Sequence, residues 1–473
     1  MKNIIHDFLY NALYQMFIII IPIITLPFLA RTLGVEALGI NSYTFSIVQI
    51  LTVISLLGMA QYGVRNIAKV RDSQCVLNST FWNLWIIQLI TGAIVLLGYM
   101  LFVMYGAQNY QLYFWLQLPF LISVIFDISW FYMGIEKFKK IVLRNITIKS
   151  ITLLLIFIVI KNESDLWKYI LILSVGNFLG NLVFWVSIKK YITQFVFDGA
   201  TFKKFFRGAF FLLIPQLCIQ LYITFDKTIV GMIAGPIELS YYDHSQKIAR
   251  IVLTIITSLS IVLLPKMSNL IAKNDGIEVD KILKKSMDYT LVTSIVFCVV
   301  VMVNSFEFVP WFFGKEFAPM SNLMFWVSLI IIFIPLGGVF ANQYALVFEK
   351  DKQFLVPLVI GAVLSLSLNL ITVPYLGALG ATFVMVVVEF TVCFLRIYLV
   401  RKELKLNIMF KGIYIYILLG GIAFFVGVSI PNIFDSVFLN MFIKSLIIFL
   451  IYLGGIMLTP NTVSKDIKKL VMK

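Results

Sequence analysis

Apolar residues run through this chain in blocks of membrane-spanning length, with charged residues gathered in the short stretches between them. A bilayer core is crossed by roughly 20 consecutive apolar residues in helical form, and only helices or closed barrels satisfy their backbone polar groups there. The pattern predicts about fourteen helices, near residues 8–29, 40–60, 79–104, 111–133, 146–160, 167–188, 208–234, 243–264, 287–306, 321–347, 353–373, 377–399, 413–431 and 437–459. The fifth is short and interrupted by Lys149. The first is too long for the apolar region of a signal peptide and runs into Arg31-Thr32-Leu33-Gly34, so it reads as a retained helix. The expected class is an all-α integral membrane protein.

Composition changes little in that picture. The chain is 61% hydrophobic and 13% charged, against about 25% charged in a soluble domain. Its net charge of +15 raises the question of nucleic acid, and the placement of the charges answers it. With the N-terminus inside, 28 of the 38 basic residues fall in cytoplasmic segments and five in outer ones (Arg31, Lys161, Lys168, Lys315, Lys444). This is the positive-inside bias. It predicts cytoplasmic termini and loops that face anionic lipid, with no nucleic acid partner. Lysine outnumbers arginine 30 to 8, a composition that leans towards an AT-rich bacterial genome. Cys75, Cys218, Cys298 and Cys393 show no paired spacing and predict neither disulfide nor metal site.

A weak repeat supports two halves. Gly34-Val35-Glu36-Ala37-Leu38-Gly39-Ile40 follows the first span and Gly235-Pro236-Ile237-Glu238-Leu239-Ser240-Tyr241 the seventh; Ile67-Ala68-Lys69 and Ile271-Ala272-Lys273 then match one span later. Six spans per half give a parallel repeat, with a pseudo-twofold along the membrane normal and the substrate path between the halves. The expected divisions are a six-helix lobe over 1–195, a second over 196–405, and helices 13 and 14 with a tail over 406–473.

The opening carries the most specific pattern. Asn11-Ala12-Leu13-Tyr14-Gln15 precedes Pro22-Ile23-Ile24-Thr25-Leu26-Pro27-Phe28-Leu29-Ala30-Arg31; Leu33-Gly34, Leu57-Gly58, Tyr62-Gly63 and Arg65-Asn66-Ile67-Ala68-Lys69 follow, with Asp226-Lys227, Gln246-Lys247-Ile248 and Leu264-Pro265-Lys266 in the seventh and eighth spans. This resembles the Wzx-type polysaccharide flippases of the multidrug/oligosaccharidyl-lipid/polysaccharide exporter superfamily, over the whole chain. The resemblance implies two six-helix lobes plus two helices, and a flippase moving an undecaprenyl-diphosphate-linked oligosaccharide between leaflets by alternating access. It also implies membrane lipids as surroundings, polysaccharide polymerase and assembly proteins as candidate partners, and no cofactor beyond H+ or Na+ coupling.

The residues suit such a task. A diphosphate needs fixed cations at membrane depth, where charge is expensive unless functional. Lys247 and Arg250 share one face of the eighth span, Lys247 on the order of 6 Å inside its outer end. Lys227 and Arg31 lie near the outer ends of the seventh and first spans, so these four are the candidate phosphate-binding cations. Asp226 is an alternative partner for Lys227 or Lys247, and residues this near a boundary can also snorkel to the headgroups. Asp127, Asp226 and Glu389 are candidates for ion coupling, since a buried carboxylate changes ionisation with access to water; each could equally hold helices together. Asn11 and Gln15, four apart on the first span, are candidate sugar contacts, or a polar helix contact.

No enzymatic constellation appears. The two histidines, His6 and His244, are far apart, and there is no Gly-rich phosphate loop. Three rival readings stand beside the flippase: a flippase for teichoic-acid or peptidoglycan lipid precursors; a cation-coupled multidrug exporter, whose cavity should be more apolar or acidic than cationic; and a glycan polymerase or ligase, against which the short outer segments, about a dozen residues at most, argue.

Overall fold

The computed structural model describes residues 2–107, 109–272 and 276–471, with side chains placed over 19–107, 109–214, 216–257 and 278–466. Every regular element among the described residues is helical. Ten helical segments there are long and apolar enough to cross a membrane, and the bent Gly199–Ile233 pair is a further one. The expected spans fall on helical residues, but 111–133 is divided between Gln111–Ile125 and Ser129–Gly134, and 321–347 runs over Met320–Val327, Ile330–Gly338 and Val339–Ala345.

The elements in order are α1 (Lys2–Leu56), α2 (Met59–Val70), α3 (Gln74–Leu101), α4 (Gln111–Ile125), α5 (Ser129–Gly134), α6 (Phe138–Val159), α7 (Leu166–Ile188) and α8 (Gly199–Ile233). They continue with α9 (Gly235–Ala272), α10 (Gly276–Phe313), α11 (Met320–Val327), α12 (Ile330–Gly338), α13 (Asp351–Leu399), α14 (Leu406–Met409), α15 (Ile413–Ser429), α16 (Val437–Leu458) and α17 (Thr462–Val471). Two of these hold two predicted spans each. α1 is interrupted at Gly34 (φ 75°) and α13 at Gly377 (φ 54°), so the chain turns between spans at single glycines whose backbone other residues rarely adopt. α6 begins well before the predicted fifth span and takes in Arg144; α9 begins before the predicted eighth; and Lys444, counted among the outer basic residues, lies inside α16, within the predicted span 437–459. Spans were placed on apolar residues alone, whereas helices carry polar residues wherever a neighbour pairs with them.

The chain folds as two compact units, Met1–Ser240 and Tyr241–Lys473. In the first, two helices are broken midway. Helical geometry stops at Leu57 (φ 44°) and Gly58 (φ 76°) before α2, and again over 126–128 between α4 and α5. A break inside a membrane frees carbonyls that no water can satisfy. Here neighbouring side chains do so. Asn181 donates to the Ser123 carbonyl (2.8 Å), Gln88 to those of Val124 (2.6 Å) and Asp127 (3.0 Å), Trp85 to Ile125 (3.2 Å) and Trp185 to Phe126 (2.9 Å). The Gln88 amide is fixed in turn by Trp130, which donates to its oxygen at 2.9 Å. Thr91, one turn along α3, donates to the Ser55 carbonyl beside the other break (2.8 Å). α2 and α5, the short pieces beyond the breaks, pack on each other where Gly63 lies against the Trp130 ring.

The second unit is organised around α10, which packs against α11, α12, α15 and α16. Its core joins Leu283, Met287, Val296, Phe340, Tyr416 and Tyr452. Polar ties fasten the last helices at both ends of α10. Glu307 pairs with Lys444 of α16, and Asn304 donates to Ser445 (3.2 Å). At the other end the buried Asp288 takes Lys284 at 2.7 Å, and the same ammonium donates to the Lys411 carbonyl ahead of α15 (3.1 Å). Lys285 pairs with Asp466 of α17 at 2.7 Å.

Replacing Gln88 by leucine keeps volume but takes the side-chain donor from the Asp127 carbonyl and the acceptor from the Trp130 ring nitrogen, and leaves the Val124 carbonyl with only the Asp127 backbone N–H at 3.2 Å. A buried polar group left without a partner costs about 1–3 kcal/mol. Gln88→Leu should therefore lower the thermal unfolding midpoint of the purified protein by several degrees. An unchanged midpoint would mean that the break at 126–128 does not depend on this side chain.

Candidate functional site

The polar face of α9 carries the two predicted cations of the second unit, Lys247 and Arg250. The helix places Asp243, Lys247, Arg250 and Thr254 along one stripe at spacings of three and four. Lys247 reaches back one turn to Asp243, Nζ to Oδ2 at 2.7 Å. The aspartate side chain is 4% exposed and the lysine 39%, so the acid is fixed inside and the ammonium sits at the accessible edge. Arg250 is half-buried one turn further, and Thr254 donates to its carbonyl at 2.9 Å.

The turn that carries Asp243 is held from several sides. The Tyr242 hydroxyl donates to Met385 Sδ at 3.7 Å, and the Tyr241 hydroxyl donates to the Glu316 carbonyl at 3.1 Å. His244 packs against the adjoining rings of Phe313 and Phe317, at 5.9 and 5.8 Å. Ser240, Ser245 and Gln246 are fully buried beside them. The stripe therefore stands on a rigid turn.

The other predicted residues are distributed over both units. In the second, Glu389 is buried on α13, one turn from buried Cys393 and two from Arg396, whose guanidinium lies over Gly337 of α12. In the first, Asp226 is buried in α8 and accepts from the Lys227 backbone N–H at 2.7 Å. It sits in a polar run: Gln220 donates to Thr224 (2.7 Å), and Thr228 meets Ser46 of α1 at 2.9 Å. Lys227 is half-buried, and Arg31 is exposed near the Gly34 turn. Asp127 accepts from the Ser129 backbone N–H at 2.9 Å, which makes it the turn-forming residue ahead of α5. The side chains of Asn11 and Gln15 lie outside the described residues.

Sequence reasoning offered Asp226 as a partner for Lys247; the residue that takes it is Asp243. The signal was available, because Asp243 stands four positions before Lys247 on one helix. No group of His, Cys, Asp and Glu able to hold a metal occurs among the described residues. At the solvated start of α8, Asp198 accepts from the N–H groups of Thr201 (2.9 Å) and Ala200 (3.4 Å). Bonding to Thr201 first, and to Ala200 after it, holds its carboxyl below the ordinary range.

A second feature of the same unit is apolar. A cleft of about 550 Å³ lies between α10, α12 and α15, lined by residues such as Ile295, Cys298, Met302, Phe333, Ile417 and Phe424, with Gly420 and Gly421 in its wall. Its chemistry suits a hydrocarbon chain and little else.

A many-spanning helical body that carries a charged helix face and an apolar cleft fits a membrane transporter, the class to which the similar proteins belong. Residues 4–271 match the family described as polysaccharide biosynthesis proteins, so the chain belongs to that family. It is 22% identical over 404 residues to the "Putative O-antigen transporter" of Escherichia coli K12, covering 84% of this chain and 96% of that one. A protein of the same description from Shigella dysenteriae is also 22% identical, over 388 residues, covering 80% and 94%. Among solved structures the fold is similar to that of the lipid II flippase MurJ in an inward closed conformation. The TM-score there is 0.76 at 16% identity, over 98% of this chain and all of that one. An inward-facing multidrug transporter of the MATE family gives 0.64 at 14% identity, over 86% and 96%. These relatives are transporters, which agrees with the lack of an enzymatic constellation in the sequence.

The Asp127 geometry makes a distinguishing prediction. Asparagine forms the same turn without a charge, so Asp127→Asn should leave stability and transport close to wild type. Asp127→Ala should cost about 1 kcal/mol, the usual value for losing such a cap. Loss of transport in the asparagine variant, with normal stability, would assign the carboxylate charge a part in coupling.

Proposed function

We propose that this protein is a flippase that moves an undecaprenyl-diphosphate-linked oligosaccharide repeat unit across the bacterial cytoplasmic membrane, by alternating access, for surface polysaccharide synthesis. The observation that carries the reading is the Lys247–Arg250 stripe of α9, set at helix depth in a chain of the polysaccharide biosynthesis family. An arginine fork and a lysine point charge one turn apart match the two phosphates of a diphosphate. Charge in that position is costly, and its natural use is a ligand of opposite sign. Arg31 and Lys227 are the candidate cations of the first unit.

The apolar cleft between α10, α12 and α15 supports a prenyl chain as the lipid part of the substrate. Transport draws on an H+ or Na+ gradient through the buried acids Asp226 and Glu389, each enclosed in a span where ionisation depends on access to water. Membrane lipids surround the carrier, the basic loops face the cytoplasm with both termini, and polymerase or assembly proteins are its expected neighbours. A multidrug exporter would have the same fold, but a stripe that ends in Lys247 and Arg250 favours an anion over an organic cation.

Two measurements test this reading. Lys247→Ala should abolish polysaccharide export at normal protein level, and Lys247→Arg should retain part of it; normal export by the alanine variant would remove the stripe from the site. Gly421 has open space where a side chain would begin. Gly421→Phe should therefore fill the cleft without unfolding the protein, and slow transport of a full-length prenyl substrate more than that of a short-chain analogue. Equal slowing of both would place the lipid chain elsewhere.

A further inference from the structure

The Asp243–Lys247 pair is unequal in a way the proposed transport does not by itself require. An anion carrier that uses a lysine gains nothing at loading from an acid 2.7 Å away. The acid competes with the substrate for the ammonium and repels its phosphates. The two side chains also differ in freedom. Asp243 is buried on a turn pinned by Tyr241, Tyr242 and His244, whereas Lys247 is more than a third exposed on a flexible four-carbon stem. Lys247 is thus the partner that moves.

The need for the acid appears when the cycle is followed past release. A carrier that delivers a net load must return empty, and an unpaired ammonium at membrane depth opposes that return. A lysine closed onto a neighbouring carboxylate is neutral and does not. Resting on the flippase reading above, we infer that Asp243 is a positioning residue that acts as a built-in counter-ion. Lys247 leaves it for the substrate phosphate on loading and closes back onto it on release, so that the empty carrier can reset. The same carboxylate, left behind when the lysine turns to the phosphate, repels the bound anion and promotes its departure. Tight binding is given up for turnover.

The test separates net transport from exchange. The probe is lipid-linked glycan extracted from a strain lacking this protein and labelled in its sugar, placed in vesicles of phosphatidylethanolamine and phosphatidylglycerol with the full-length protein. Leaflet position is read by oxidation with impermeant periodate. Net transfer is measured with probe in one leaflet under an imposed proton and sodium gradient, and exchange, under the same gradient, with probe in one leaflet and unlabelled lipid in both. In Asp243→Asn the carrier stays loaded during exchange but must reset empty during net transfer. The expected result is net transfer reduced by about tenfold, exchange near wild type, and half-saturation at lower probe concentration. Asp243→Glu, which keeps the charge, should restore part of the net transfer. Equal loss of exchange and net transfer in Asp243→Asn would show a structural role and overturn the inference, as would unchanged net transfer. Wild-type protein that moves the probe in neither format would count against the flippase reading itself, a separate outcome.

Discussion

The fold depends on one constraint: every backbone polar group inside a bilayer must find its partner within the protein. Continuous helices meet it automatically. This chain breaks two helices of its first unit, at 57–58 and 126–128, and meets the constraint there with side chains instead. One face of α3 does most of this. Gln88 and Trp85 reach the carbonyls freed between α4 and α5, Thr91 reaches Ser55 beside the other break, and Trp185 and Asn181 of α7 complete the set. The polar residues of these spans are thus parts of the backbone ladder moved onto neighbours.

The same constraint governs charge. Ionised groups in the second unit occur as close pairs: Lys444 with Glu307, Lys284 with Asp288, Lys247 with Asp243. The first two fasten α16 and the start of α15 to α10, at opposite ends of that helix, and are buried or nearly so. The third joins two residues of α9, and its lysine is the most exposed of the three. On the flippase reading proposed above, that exposure leaves Lys247 able to meet a ligand.

Much of this was legible in the sequence. Apolar blocks placed each span, because the length of a block is set by the bilayer, and the glycines at 34 and 377 fell at span boundaries, as turns demand. The Lys247–Arg250 stripe followed from helical spacing alone. What was missed has a common cause. Gln88, Asn181, Trp85 and Trp185 act on carbonyls 36 to 59 residues away, and no local pattern reveals such a partner. The inward extension of α6 to include Arg144 failed for the same reason: its guanidinium is paired by Asn181 at 2.7 Å and stacked 4.3 Å over Phe184, so it sits in a helix where a charge alone suggested a loop. Asp243 was a different kind of omission. It stood at local spacing from Lys247, but an acid beside the expected anion site runs against the simplest picture of that site.

The central claim is that the protein carries a lipid-linked glycan from one leaflet to the other. The most direct measurement is made in a strain lacking this gene: undecaprenyl-linked intermediates are extracted, their leaflet is determined, and surface polysaccharide is quantified in parallel. Complete repeat units accumulating on the cytoplasmic leaflet, with polymer lost, is the predicted result, and their mass would identify the glycan. Intact polymer with no accumulation would contradict the account and bring the export of another amphiphile to the front.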